Sequence, residues 1–93
     1  MDIHQIVKGR KRYAEAYFAF LSSTPEERGE AYREWRAQYE WKQIHDPDFP
    51  CAQEQAEQWF LCVNRDARLP LRGTPEWLEM YKEYMRFQFG GEP

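Results

Sequence analysis

The 93 residues predict an all-α fold, a compact four-helix bundle-like domain with an aromatic-rich core. Three observations predict it. Apolar residues recur at three-four spacing over four separate stretches, the period of an amphipathic helix. The same start signal, Thr-Pro-Glu, opens two of them, at Thr24-Pro25-Glu26 and Thr74-Pro75-Glu76. The apolar mass is largely aromatic, with sixteen Phe, Tyr and Trp against ten Leu, Ile and Val. Leu, Ile, Val and Phe together fall below the ~20% that marks disorder when net charge is high. Net charge here is only −3, and ten Tyr and Trp supply the missing apolar area.

The first helix is expected over 3–21, capped by Asp2. Ile3, Ile6, Val7, Arg10, Tyr13, Ala14, Tyr17, Phe18 and Leu21 follow its stripe, and Gly9 weakens its middle. Ser22-Ser23 is a very short link, which makes helices one and two an antiparallel hairpin.

The second helix is expected over 25–45, the longest helical pattern in the chain. Thr24 is its cap and Pro25 its first residue. Glu27 is placed to close a capping box. Asp46-Pro47 ends it, because the residue before a proline is pushed out of the α region. At ~100° per residue, Ala31, Tyr32, Trp35 and Tyr39 share one face, and Ala37, Trp41 and Ile44 the opposite one. A helix apolar on two sides is usually sandwiched. Helices one and four would cover one side and helix three the other. Gly29 reads as a close helix approach or a frayed turn.

The link 45–50 is stiffened by Pro47 and Pro50. Helix three is expected over 50–64, with Ala52, Ala56, Trp59, Phe60 and Val63 on one face and Asn64 as its stop. Residues 65–73 form a loop that Leu69 and Leu71 are expected to pin to the core. Helix four is expected over 75–89, with Thr74 as cap. Trp77, Leu78, Tyr81, Tyr84, Met85 and Gln88 form its stripe. Gly90-Gly91 ends it, and 90–93 should be a loose tail.

Length allows one domain. The segment 1–13 carries +3 and the remainder −6. No stretch approaches the ~20 apolar residues of a membrane span. The N-terminus has no apolar signal core. Cys51 and Cys62 are therefore expected to be reduced thiols in a cytoplasmic protein.

Four groups of residues bear on function. Lys8, Arg10, Lys11 and Arg12 can neutralise phosphates, and Tyr13 can stack on a base. Those cations spread over more than half the helix circumference, however, and the rest of the chain is acidic. His4, His45, Asp46, Asp48, Cys51 and Cys62 are metal-ligand types without ligand spacing. Cys51 and Cys62 lie ~16 Å apart along one helix. No metal or cofactor is expected. Glu26, Glu30 and Glu34 lie at i, i+4 spacing, which reads as a solvated acidic face and not as an acid–base pair. No nucleophile motif or phosphate loop is present, so no catalysis is expected. Finally, Trp41, Ile44, Phe49, Met80, Phe87 and Phe89 fall outside the main stripes. With the loop arginines Arg65, Arg68 and Arg72 they resemble the composition of interaction hot spots.

The leading expectation is a small non-enzymatic interaction module, a regulator or inhibitor that binds and occludes a larger partner. Compact inhibitors encoded by phages and other mobile elements share this composition, which is an analogy of composition only. The alternatives are a nucleic-acid-binding domain using 8–12 and a homo-oligomeric helical assembly.

Overall fold

In the computed structural model, which describes residues 2–90, the chain is all-helical. Four helices follow in order: α1 (Ile3–Leu21), α2 (Arg28–His45), α3 (Ala52–Val63) and α4 (Pro75–Phe89). No strand occurs among the described residues. The chain divides into two units, Met1–Pro50 and Cys51–Pro93. In the first, α1 packs on α2, and in the second, α3 packs on α4. Of the expected tail, positions 91–93 lie outside the described residues.

The α1 start matches its expectation. Asp2 Oδ1 accepts the Gln5 N–H at 2.9 Å, and Gln5 Oε1 accepts the Asp2 N–H at 3.3 Å, a reciprocal capping box. The serine link closes on itself. Ser22 and Ser23 donate their hydroxyls to the Phe18 and Phe20 carbonyls, and Arg28 donates to the Ser23 carbonyl at 3.1 Å.

Helix α2 starts three residues later than expected. The Glu27 N–H bonds to the Thr24 carbonyl at 3.0 Å, an i to i+3 turn, so 25–27 form a turn and the α ladder opens at Ala31 N–H to Glu27 O. Only half of the expected capping box forms, with Glu27 Oε1 accepting the Thr24 N–H at 3.3 Å.

Along the α1–α2 contact, rings from the two helices pair in antiparallel order. Phe20 stacks on Trp35 at 5.5 Å, Tyr17 meets Trp35 at 5.6 Å, and Tyr13 meets Tyr39 at 6.2 Å. Such ring pairs add about 0.5–1.5 kcal/mol beyond the area they bury. Past Tyr13 the ladder changes character. Gly9 is buried, and a Cβ at that position would overlap the Trp41 ring. The indole therefore rests on bare backbone. The close approach is at Gly9 and not at Gly29, which has open space around it.

Gly9→Ala sets two effects against each other. Alanine favours the helix by about 1 kcal/mol, but overpacking against a ring costs about 1–3 kcal/mol. We expect a net loss in the native background and a gain of about 1 kcal/mol in a Trp41→Ala background, where the clash is gone. Urea midpoints of the four proteins check this. A loss of equal size in both backgrounds would refute the contact.

The second apolar face expected of α2 is exposed at Ala37 and Ile44, Ile44 by 73%. Lys42 is the one buried residue of α2. Trp41, the largest apolar group of that second face, turns back onto Gly9 and leaves the face without an anchor.

In the second unit α3 is shorter than the expected 50–64, because Cys51 is extended at φ −64°, ψ 160° and Asn64 leaves the helix. Ala52 and Ala56 are buried, as are Trp77, Met80, Tyr81 and Tyr84 of α4. Trp77 stacks on Tyr81 at 5.5 Å, Tyr81 meets Tyr84 at 5.9 Å, and Trp59 meets Tyr84 at 6.1 Å. Glu57 ties the two helices together. Its carboxylate accepts both Arg72 N–H groups at 2.8 Å and the Trp77 indole N–H at 2.8 Å. Thr74 caps α4 as expected, accepting the Trp77 N–H at 3.2 Å, and Gly90 closes it in the left-handed conformation at φ 68°. Among the described residues the indole N–H groups of Trp35 and Trp59 are buried without a hydrogen-bond partner.

Candidate functional site

The structure sorts the candidate residues by what they touch. Of those expected in a partner-binding surface, Ile44 and Phe87 stand 73% and 66% in solvent, and Arg65 and Arg68 are exposed. Trp41, Phe49 and Phe89 are half-buried. Trp41 rests on Gly9, Phe49 lies under the Arg10 guanidinium at 4.4 Å, and Phe89 meets Tyr84 edge-on at 6.2 Å. Met80 is 4% exposed and belongs to the core, which corrects its place among the surface candidates. Helix α4 buries an arc wide enough to reach it from Tyr81. Arg72 is held by Glu57 in a two-bond ion pair and is not a free loop cation.

The basic segment is sorted in the same way. Tyr13 is 1% exposed, so its ring has no face for a base. Arg10 is bound to Asp46 through Nε at 2.6 Å and Nη2 at 3.1 Å. Lys8, Lys11 and Arg12 remain exposed and form no ion pair among the described residues.

Two concave features remain. On the α3–α4 unit an open, mostly apolar groove of 380 Å³ is lined by Arg68, Leu69, Pro70, Leu71, Thr74 and Glu76. Leu69 is half-buried, as a pin should be, but Leu71 is 77% exposed and pins nothing. On the α1–α2 unit a mostly polar cleft of 260 Å³ is lined by Gln5, Lys8, Arg12 and Trp41. His45 flanks that tryptophan at 5.0 Å between ring centroids.

Of the cleft residues Gln5 escaped the sequence reading, which had Lys8 and Arg12 as phosphate cations and Trp41 as a partner contact. Gln5, Lys8 and Arg12 have i, i+3, i+7 spacing, so their shared face was available from helical geometry. Their meeting with Trp41 was not, because it depends on the register of α1 against α2. Leu61 and Val63, 46% and 55% exposed, sit at the C-terminal end of α3, where its apolar stripe runs out into solvent.

Glu57 is a carboxyl displaced from its ordinary range. Its hydrogen bonds from Arg72 hold the carboxyl below its usual range; burial opposes this, and the Trp77 bond and Arg72 charge add to the lowering. Among the described residues no three His, Cys, Asp or Glu side chains converge as a metal ion would require. No helix there is long and apolar enough to cross a membrane. No protein-family model matches the chain, and no curated protein or solved structure shows significant similarity to it.

Proposed function

We propose that this chain is a non-enzymatic interaction module, a regulator or inhibitor that binds and occludes a larger protein partner. One observation carries the reading. On the α3–α4 unit Leu61, Val63, Leu71 and Phe87 stand 46%, 55%, 77% and 66% in solvent. Single exposed apolar residues are ordinary, but four large ones on one small unit are more than such a surface usually carries without a contact to make. Phe87 lies on Trp59 at 5.7 Å, so it is held in place and not loose. An anchored aromatic needs little ordering on binding, which favours affinity. Leu71 edges the apolar groove beside Arg68. The complementary partner surface is apolar with an acidic border facing Arg65 and Arg68. We place this activity in the cytoplasm, where the free Cys51 and Cys62 stay thiols.

Affinity capture from lysate with the tagged chain, with and without nuclease, tests this. The expected result is one protein in stoichiometric amount that nuclease does not release. Phe87→Ser and Leu71→Ser should each weaken capture by a hot-spot increment of about 2 kcal/mol, roughly thirtyfold. Both side chains are solvated, so helicity by circular dichroism should not change. Capture indifferent to both substitutions would refute the surface. A mass above 11.4 kDa that falls on dilution would replace the partner by a second copy of the chain.

A further inference from the structure

We propose that the Gln5–Lys8–Arg12–Trp41 cleft of the α1–α2 unit is a site for single-stranded nucleic acid, with a base against Trp41 and the adjoining phosphates on Lys8 and Arg12. This is a second site, on different helices from the apolar surface above and independent of it.

The cleft combines the parts that such a ligand uses. Single strands are held by cations that follow the backbone and by aromatic rings on which bases stack. Lys8 and Arg12 are four residues apart on one side of α1, and neither is spent on an ion pair among the described residues. Lys11 is also exposed and forms no ion pair among the described residues, on the next turn from Lys8. Trp41 is positioned by the bare backbone of Gly9, so the platform is fixed before any ligand arrives. His45, 5.0 Å from it, extends the aromatic surface. Gln5, whose Oε1 accepts the Asp2 N–H, has its amide NH2 to donate to a base edge.

Size and charge narrow the ligand. At 260 Å³ the cleft is smaller than the ~300–1,000 Å³ pockets of drug-sized ligands. It has room for one ring, with the phosphates on either side of that nucleotide reaching the exposed cations of α1. A duplex hides both faces of its bases and has no ring to offer Trp41. An acidic peptide would use the cations and leave the indole idle. The aromatic partner also differs from the one the sequence suggested. Tyr13 is buried, and Trp41, 29 positions from Arg12 in the chain, takes its place.

Fluorescence anisotropy of a labelled twelve-nucleotide oligo-dT, with the full chain at low salt, tests the proposal. Binding is expected, with log K falling against log salt at a slope of about −1.4 to −2.1, from ~0.7 for each of two or three phosphates. Trp41→Ala should weaken it about tenfold, and Trp41→Phe should restore part of that loss. Lys8→Gln/Arg12→Gln changes only exposed side chains and should weaken it at least tenfold. Gly9→Ala, which displaces the indole without touching a charge, should weaken it as well. A twelve-base-pair duplex and a labelled deca-glutamate peptide serve as comparison ligands and should bind more weakly than oligo-dT. No binding of oligo-dT would overturn the proposal. So would binding that Trp41→Ala and Gly9→Ala leave intact, or deca-glutamate binding as tight as that of oligo-dT. Should Trp41→Ala lose its helicity, the Lys8→Gln/Arg12→Gln and Trp41→Phe proteins still decide the matter.

Discussion

Tyr81→Ala is expected to cost about 3–5 kcal/mol, the range for removing a buried aromatic ring. Tyr81 is fully buried, stacked with Trp77 on one side and packed with Tyr84 on the other. Its removal opens a void in the middle of the α4 stripe. The backbone is tied at both ends of that stripe, by Thr74 at the N-terminus and Gly90 at the C-terminus, so collapse into the void is limited. A small domain has about 5–15 kcal/mol in total, so the variant should be largely destabilised at 37 °C. Ile44→Ala is the matching control. That side chain is 73% exposed, and surface changes of this kind stay within about 0.5 kcal/mol. Urea unfolding followed by circular dichroism separates the two. Equal midpoints would refute the assignment of Tyr81 to the core.

Glu57→Ala is the second large effect, expected at about 2–3 kcal/mol, chiefly from groups left without partners. The carboxylate is 15% exposed and holds Arg72 and the Trp77 indole together. Arg72 is 54% exposed, so its release costs little once solvent screening is counted. The Trp77 N–H is the larger loss, because that residue is 2% exposed and water does not replace the acceptor.

The same carboxyl makes the unit acid-sensitive. Its folded pKa lies below the ordinary 4.5, with the Arg72 hydrogen bond as the largest cause. A depressed pKa stabilises the fold fully above the unfolded value and ceases to do so as pH falls through the folded one. Tryptophan fluorescence of the native chain should therefore report weakening of the α3–α4 unit from about pH 4.5 downward. Glu57→Gln keeps an acceptor for Trp77 and removes the titrating group, so its stability should be lower at pH 7 and flatter in that window. Parallel acid profiles for the two proteins would show that Glu57 is not the sensor.

Local chemistry was enough to place the helices. The Asp2 cap, the Thr74 cap and the Gly90 stop are read from neighbours within a few residues, and each forms where expected; the α1 stripe is buried at Tyr13, Ala14 and Tyr17, while Ile3 and Val7 at its start are 67% and 50% exposed. The short serine link made α1 and α2 partners, since two residues leave little room for anything but a hairpin.

The two Thr-Pro-Glu signals show where that reasoning ends. Identical tripeptides give an α-helical start at Pro75 and only a turn at Pro25. At the second site the capped residue is Trp77, which is buried and bonded to Glu57, so packing holds the first turn in α geometry. Around Thr24 every residue from 24 to 30 is exposed, and nothing opposes the tighter i to i+3 turn. The two glycines show the same limit. Gly9 and Gly29 look alike in a helical pattern, yet a cross-helix ring lies over one and solvent over the other. The candidate sites depend on such distant partners. Whether Trp41 faces outward, whether Tyr13 has a free face, and whether Arg10 and Arg72 are spent on Asp46 and Glu57 all follow from the register between helices. That register is set by ring shape and ion-pair geometry between residues up to 36 positions apart, which no periodicity within one helix encodes.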